Sequence, residues 1–438
     1  MYDFGVINNI NKFVNYSNLS KDVYCLSTNL NKMVEPATYW EACKSKHWID
    51  AMNTEMEALF KNDTWDVTEL PEVDRFKARL VAKGYNQREG IDFDETFSPV
   101  VKMATVRCMI NIAVQNDWDL FQIDINNAFL YGDLDECVYM TLPLGYYNEN
   151  DKRVCKLKRS HYGLKQAPRK WNENLSSALI ENGFRQILND YSLFIKTDND
   201  VFIAILVYVD DIVVTGNNTC EINKFKDFLK SKFQIKDLGV LKYFLGIEVI
   251  RENKNICLSQ RKYTLDLLTE FGLLNCKPIY TPIEPNLKFN NDDDLNDLPL
   301  KNITEYQRLI GKLMYLTLTR PDISYSVHVL SQFMHAPKVS HLKCALRVLR
   351  YLKSAPGKGI CIRKSDDTNL VCYVDSDWGK RIMAMKSVTG YCLFLNGSIL
   401  TWKSKKQDCV SRSSAEAEYR ALADASCEVI WILKVLND

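Results

Sequence analysis

The stretch FIAILVYVDDIVVTG, residues 202–216, reads as two buried strands folded about a tight acidic turn. Apolar and β-branched residues fill both arms, the composition of strands covered on both faces. The turn carries Asp210-Asp211. Two adjacent carboxylates beside low-dielectric strands are costly unless they are paired or bind metal. A hairpin turn also favours aspartate for backbone reasons, so the pair alone does not decide between the two.

A second strand, Phe121 to Ile125 in FQIDINNAFL, contributes Asp124. If the two strands are neighbours, three carboxylates converge. Such a set suits Mg²⁺, which prefers oxygen ligands and keeps positions open for phosphates. Two such ions about 4 Å apart activate an attacking hydroxyl and stabilise a leaving oxygen. A metal-dependent nucleotidyl transferase or a nuclease follows, and spacing alone does not choose between them.

The bulk composition narrows the class. The 438 residues are 46% hydrophobic and 25% charged, as in ordinary globular protein, with a formal net charge of only +1. The charge is sorted along the chain. Residues 51–150 hold 8 basic and 18 acidic residues, a net of −10, whereas 301–364 hold 12 basic and two acidic, a net of +10. Residues 152–172 hold eight basic residues and no acidic one. A basic run is commonly a solvated face, and a polyanion site is the sharper reading. No apolar run approaches the roughly 20 residues of a membrane helix, and Met1 to Ile10 lack the make-up of a secretory signal. The 14 cysteines show no metal-knuckle spacing and read as free thiols. The five histidines read as surface or packing residues rather than ligands.

Periodicity places the remaining elements. Residues 1–36 are Asn-rich and read as a flexible lead-in. Trp40, Trp48, Met52, Met56 and Leu59 suit one amphipathic helix over 39–59. Helical spacing returns at 223–233 and 341–352, and residues 284–304 read as a polar linker. A strand over 370–375 ends in acid, a hairpin over 391–400 follows, and a helix opens with Ser414 as N-cap. Domain boundaries are expected at 37–250, 251–364 and 365–438.

Seven segments resemble the polymerase of copia-type LTR retrotransposons. They are KARLVAKGYNQREGIDFDETFSPVVK (77–102), QIDINNAFLYGDL (122–134), YGLKQAPRKW (162–171), YVDDIVVTG (208–216), KDLGVLKYFLGIEV (236–249), TRPDISYSV (319–327) and WKSKKQDCVSRSSAEAEYRALA (402–423). The resemblance spans about residues 36–438. It implies an α+β right-hand polymerase of fingers, palm and thumb, then a connection and a partial RNase H-like α/β domain. It implies an RNA-directed DNA polymerase that transfers nucleotides from dNTPs to a primer 3′-OH. Two Mg²⁺ ions, with Mn²⁺ as the alternative, would be held by Asp124, Asp210 and Asp211. The implied partners are an RNA template, a DNA primer or RNA–DNA hybrid, and the integrase, protease and capsid of an intact element. The implied compartment is a cytoplasmic virus-like particle or the nucleus, without a membrane.

The resemblance also assigns roles around the carboxylates. Phe129 matches a steric gate against the ribose 2′-OH. Gly163 matches a position where backbone passes close to the incoming nucleotide, and Tyr208 lines the same place. Lys77, Arg79 and Lys83 are alternatives for gripping the triphosphate. Lys165 and Arg169 are assigned to template or phosphate, and Lys236 to the region of the pyrophosphate. Tyr243 and Phe244 match a hairpin that grips the primer, while Lys343, Arg347 and Arg350 belong to a basic face tracking the duplex.

Asp375 and Glu418 match two ligands of an RNase H-like site. The sequence ends before two further ligands of that pattern, so no ribonuclease activity is expected. The segment between Trp65 and Lys77 is shorter than the family pattern, and a hairpin with strands of roughly 5 residues barely fits it. The competing expectation is a degenerate, non-catalytic fragment that still binds nucleic acid.

Overall fold

The chain is seen in a computed structural model, which describes residues 39–44, 46–62, 64–68, 87–88, 90, 93, 95–143, 145, 147, 151, 153–284, 297–379 and 385–438. It is a mixed α/β protein of two units, 1–80 with 139–156, and 81–138 with 157–438. Its strands are β1 (Trp65–Thr68), β2 (Leu120–Ile125), β3 (Asp133–Thr141), β4 (Val154–Arg159), β5 (Arg185–Gln186), β6 (Leu193–Asp198), β7 (Val201–Tyr208) and β8 (Asp211–Gly216). They continue with β9 (Ile235–Val240), β10 (Tyr243–Phe244), β11 (Ile247–Glu252), β12 (Asn255–Ser259), β13 (Ile360–Ile362), β14 (Leu370–Asp377), β15 (Val388–Leu395) and β16 (Ser398–Lys406).

The first unit carries helices Tyr39–Ala42 and Lys46–Lys61 and the strand β1. One continuous helix over 39–59 is therefore corrected to two. Trp40 and Trp48 are exposed, while Met56 and Leu59 are buried.

The second unit is built on a six-stranded antiparallel sheet of order β5-β6-β7-β8-β2-β9. Strand β7 accounts for the apolar run before Asp210-Asp211. Ile203, Ile205 and Val207 point to one face, where helices Ala167–Glu181 and Thr219–Lys232 cover them through Trp171, Leu175, Phe225 and Leu229. Ala204 and Leu206 point to the other face, against helix Met103–Gln115 and the sheet β10-β11-β12-β13. A strand buried on both sides has no polar alternation to display.

Helix Met103–Gln115 is itself buried all round, as a helix between two layers must be. Val106, Met109 and Ile110 meet the six-stranded sheet. Ala104 and Cys108 meet Leu393, Leu395, Leu400 and Ile432 of the sheet β14-β15-β16 and its covering helix Ser414–Asn437. Burial lifts the Cys108 thiol to about 12, which keeps it protonated and apolar. A further helical layer gathers Leu267, Tyr306, Leu309, Leu313, Val327, Val348 and Leu352.

Other expectations change in detail. The cap of the last helix is Ser413, whose side chain accepts from Glu416 N, rather than Ser414. The linker over 284–304 is shorter at its C-terminal end. Asp297 is tied to Ser340, Leu300 N bonds to Pro337 O, and helix Ile303–Leu316 has begun. The uniform free-thiol expectation fails at Cys257 and Cys361. The β12–β13 register sets them opposite each other, and they form a disulfide across 104 residues of sequence. His161 and His341 are packing residues, as expected. Burial lowers both imidazoles, His341 to about 4.

The TRPDISYSV segment shows why it carries an Arg-Asp pair. Arg320 is buried, and its Nε and Nη2 donate to Asp322 at 3.0 and 2.9 Å while Nη1 donates to Ala355 O. Tyr351 and Lys358 also bind Asp322. Burial acts to raise this carboxyl, but the hydrogen bonds and cations outweigh it and hold it at about 2, below the usual 3.8. A depressed carboxylate contributes stability above its unfolded value and loses it as pH falls through the folded one. After discounting for an exposed fifth of the side chain, we expect about 1–2 kcal/mol of stability to vanish between about pH 4 and pH 2. Denaturant titrations at these pH values check this. Asp322→Asn should lose the same amount at pH 7 and flatten the acid dependence.

Among the described residues, no helix is long and apolar enough to cross a membrane.

Candidate active site

Pairing of Tyr208 with Asp211 leaves Val209 and Asp210 as a two-residue turn between β7 and β8. Val209 has φ +52°, a left-handed conformation that a β-branched residue adopts only under constraint. Two hydrogen bonds supply the constraint. The Trp171 indole donates to Val209 O at 2.7 Å, and Ile125 N donates to Asp210 O at 2.9 Å. The second bond stitches the turn to the end of β2. There Asp124 is the register partner of Asp211 on one side and of Lys236 on the other. The strands β2 and β8 are therefore neighbours, and their pairing brings Asp124, Asp210 and Asp211 to one end of the sheet.

The electrostatics follow from that crowding. Burial first, then the Asp210 charge, raises the Asp124 carboxyl, with Lys236 opposing. Burial also raises Asp211, reinforced by Asp210 and Asp124 and opposed by a hydrogen bond from Gln122. Among the described residues no three acidic, His or Cys side chains are already closed around one point. The donors are nonetheless hard carboxylate oxygens at the mouth of an apolar sheet, and the Asp210 charge weighs on both Asp124 and Asp211. That donor set fits Mg²⁺ or Mn²⁺, whose charge would relieve the repulsion.

Phe129 lies in a 3₁₀ turn, Ala128–Tyr131, just after β2. Its ring meets Tyr162 edge-on at 4.7 Å, and Ser160 Oγ donates to Phe129 O. Gly163 follows Tyr162 at φ +94°, exposed and free of the Cβ strain any other residue would meet there. Phe129 and the Gly163 loop are thus joined, and Tyr208 is half-buried beside Phe244 at 6.5 Å.

The basic residues are more engaged than the sequence suggests. Lys165 Nζ donates to Gln87 O at 3.0 Å and lies 4.9 Å from the centre of the Phe93 ring. Arg169 pairs with Glu95 and Glu173, Arg347 with Glu284, and Arg350 Nε donates to Lys277 O. Lys343 and Lys236 are exposed. Tyr243 and Phe244 do form a hairpin, turning at Leu245 and Gly246, both left-handed. A Cβ at Gly246 would collide with the Tyr315 hydroxyl, which donates to Leu245 O. Phe244 is corrected to a core residue, only 3% exposed, because alternation along the strand sends it inward; Tyr243 is 54% exposed. Lys77, Arg79 and Lys83 lie outside the described residues. At the second expected site, Asp375 is exposed on β14 and Glu418 Oε1 accepts from Ser376 N at 3.2 Å.

Two residues that the sequence left without a role support the site: Gln122, which bonds the Asp211 carboxylate, and Trp171, which bonds the Val209 carbonyl in the turn. Gln122 stands two positions before Asp124, so strand alternation alone could have placed it on the same face. Trp171 is distant in sequence and gave no such signal.

Comparisons with known proteins bear on the same residues. The chain is 41% identical over 437 residues to the retrovirus-related Pol polyprotein from transposon RE1 of Arabidopsis thaliana, covering 95% of this chain and 30% of that protein. It is 38% identical over 419 residues to the corresponding polyprotein from transposon TNT 1-94 of Nicotiana tabacum, covering 89% and 31%. The chain thus spans about a third or less of the length of these curated relatives. A solved foamy viral protease-reverse transcriptase in complex with double-stranded DNA aligns with a TM-score of 0.46 at 12% identity, over 87% of this chain and 60% of that one. Residues 60–285, which contain all three aspartates, match the family described as reverse transcriptase (RNA-dependent DNA polymerase). By that match over half of its length the chain belongs to the reverse transcriptase family.

Proposed function

We propose that this chain is the RNA-directed DNA polymerase of a retrotransposon Pol polyprotein, adding deoxynucleotides to a primer 3′-OH on an RNA template. The observation that carries the reading is the register pairing of Asp124 with Asp211, with Asp210 in the turn between β7 and β8. Asp124, Asp210 and Asp211 would hold Mg²⁺. Bound there, the metal supplies Lewis-acid activation of the primer hydroxyl and neutralisation of the triphosphate.

The chain's own residues set the rest. The apolar floor under the turn, from Ile123, Val207 and Ile212, keeps water away from the carboxylates' protein side. The Trp171 and Ile125 hydrogen bonds hold the turn in a conformation it would not adopt unaided. No side-chain nucleophile is needed. Phe129, braced by Tyr162, is the gate that selects a sugar without a 2′-OH. Tyr243 and the exposed Lys343 are contacts for primer and duplex. Partner proteins are the other parts of the polyprotein, and the compartment is a cytoplasmic particle or the nucleus.

The test is incorporation of labelled dTTP on poly(rA)/oligo(dT), with Mg²⁺ and after chelation. Incorporation that requires the metal supports the reading. No incorporation, with salt-sensitive duplex binding retained, would favour a non-catalytic fragment. The gate has its own test. Phe129→Ala should lower selectivity for dNTP over rNTP about tenfold or more, the scale of discrimination by pocket shape. Steady-state kinetics with dTTP and UTP read it directly, and an unchanged ratio would remove the gate.

A further inference from the structure

Gln122 is buried, 8% exposed, on the strand that carries Asp124, and its Nε2 donates to Asp211 Oδ1 at 3.1 Å. It is bracketed by Val213 of β8 and Gly239 of β9. The β2–β9 register shifts just after it, between Gln122 and Ile123. No other hydrogen bond engages the Asp211 carboxylate among the described residues. A half-buried carboxylate at the first position of a strand could still rotate about its side-chain bonds, and the carboxamide takes that freedom away by holding one oxygen.

We infer that Gln122 is a positioning residue: by binding Oδ1 of Asp211 it orients that carboxylate and leaves Oδ2 for the site shared with Asp124 and Asp210. The choice of residue type matters. A lysine here would neutralise Asp211, and an aspartate would repel it. A glutamine donates a hydrogen bond while adding no charge. Partners that fix a ligating carboxylate in this way control metal affinity as well as geometry.

The inference rests on the polymerase reading, so its test separates the two. Mn²⁺ binding is measured by the loss of the free-ion EPR signal for the wild type, Gln122→Met, Asp211→Ala and the double variant, each with a melting curve. Methionine keeps the length and apolar stem of glutamine and removes the donor. Gln122→Met should weaken Mn²⁺ binding roughly tenfold, and the double variant should bind no more weakly than Asp211→Ala alone. In primer extension, the half-saturating Mg²⁺ concentration should rise by a similar factor. The KM for dNTP at saturating Mg²⁺ should stay unchanged, a split that general destabilisation does not produce.

Unchanged Mn²⁺ affinity in Gln122→Met, or losses that add in the double variant, would overturn the inference while leaving the polymerase reading intact. A wild type that binds no Mn²⁺ would overturn both. If Gln122→Met does not melt cooperatively, Gln122→Leu is read by the same cycle.

Discussion

Replacing Asp210 by Asn should lower nucleotide addition by roughly 10³-fold or more, about 4 kcal/mol of transition-state stabilisation, without lowering the melting temperature. The two halves of this prediction have one cause. Asp210 adds negative charge beside Asp124 and Asp211 and helps push both carboxyls up. A carboxyl whose folded value is raised costs stability at pH above that value, and the cost disappears as pH falls below the unfolded one. Removing the Asp210 charge relieves that repulsion at pH 7, so the variant should melt at the same temperature or higher. The Asp210 main-chain carbonyl still accepts from Ile125 N, so the turn is preserved. A variant that lost activity by unfolding would show the opposite change in melting. Single-turnover primer extension and calorimetry on the same preparations separate the two.

The largest effect on stability is expected at Arg107, far from the carboxylates. Its side chain leaves the buried helix Met103–Gln115 and donates through Nη1 to Leu400 O at 2.9 Å and through Nη2 to Leu318 O at 2.5 Å. Its guanidinium also lies 4.2 Å from the centre of the Trp402 ring. One residue thus joins the helix behind the six-stranded sheet, the end of helix Ile303–Leu316 and the hairpin β15–β16. Burial lowers it to about 10, which still leaves it charged at pH 7. Arg107→Ala would open a cavity and take the arginine donors away from one buried and one part-buried carbonyl. Those effects together cost about 3–5 kcal/mol. Arg107→Lys keeps a charge but cannot reach both carbonyls in the fork that arginine provides, so it should recover less than half. Urea titrations followed by circular dichroism measure both values. A loss under 1 kcal/mol for Arg107→Ala would show that the three elements hold together without it.

Individual residues show what the sequence could and could not reveal. The hairpin 202–216 was legible because burial on both faces leaves a continuous apolar run, broken only by the turn. Register was not: that Asp124 faces Asp211 depends on hydrogen bonds between strands about ninety positions apart, and resemblance supplied what periodicity could not. Phe244 could have been placed inside from alternation with Tyr243. The disulfide Cys257–Cys361 could not, since its partners meet only once β12 and β13 pair. The basic run over 152–172 was visible, but its meaning was not. Arg169 and Lys170 spend their charge on Glu95, Glu173 and Asp135, acids that lie elsewhere in the acidic region or on the next helical turn. The balance of opposite charges along the chain is therefore partly intramolecular pairing, and less of the basic run is free for a polyanion than its composition implied.

The three aspartates stand or fall together as a nucleotide-transfer site. Its most direct test is extension of oligo(dT) on poly(rA) by the wild-type chain and by Asp210→Asn, in parallel, with Mg²⁺ and all controls for duplex binding. Stepwise extension by the wild type, abolished by chelation, is expected, with none above background in the variant and equal binding of duplex by both. Equal extension by the two proteins would contradict such a site, as would no extension by a wild type that binds the duplex and Mg²⁺.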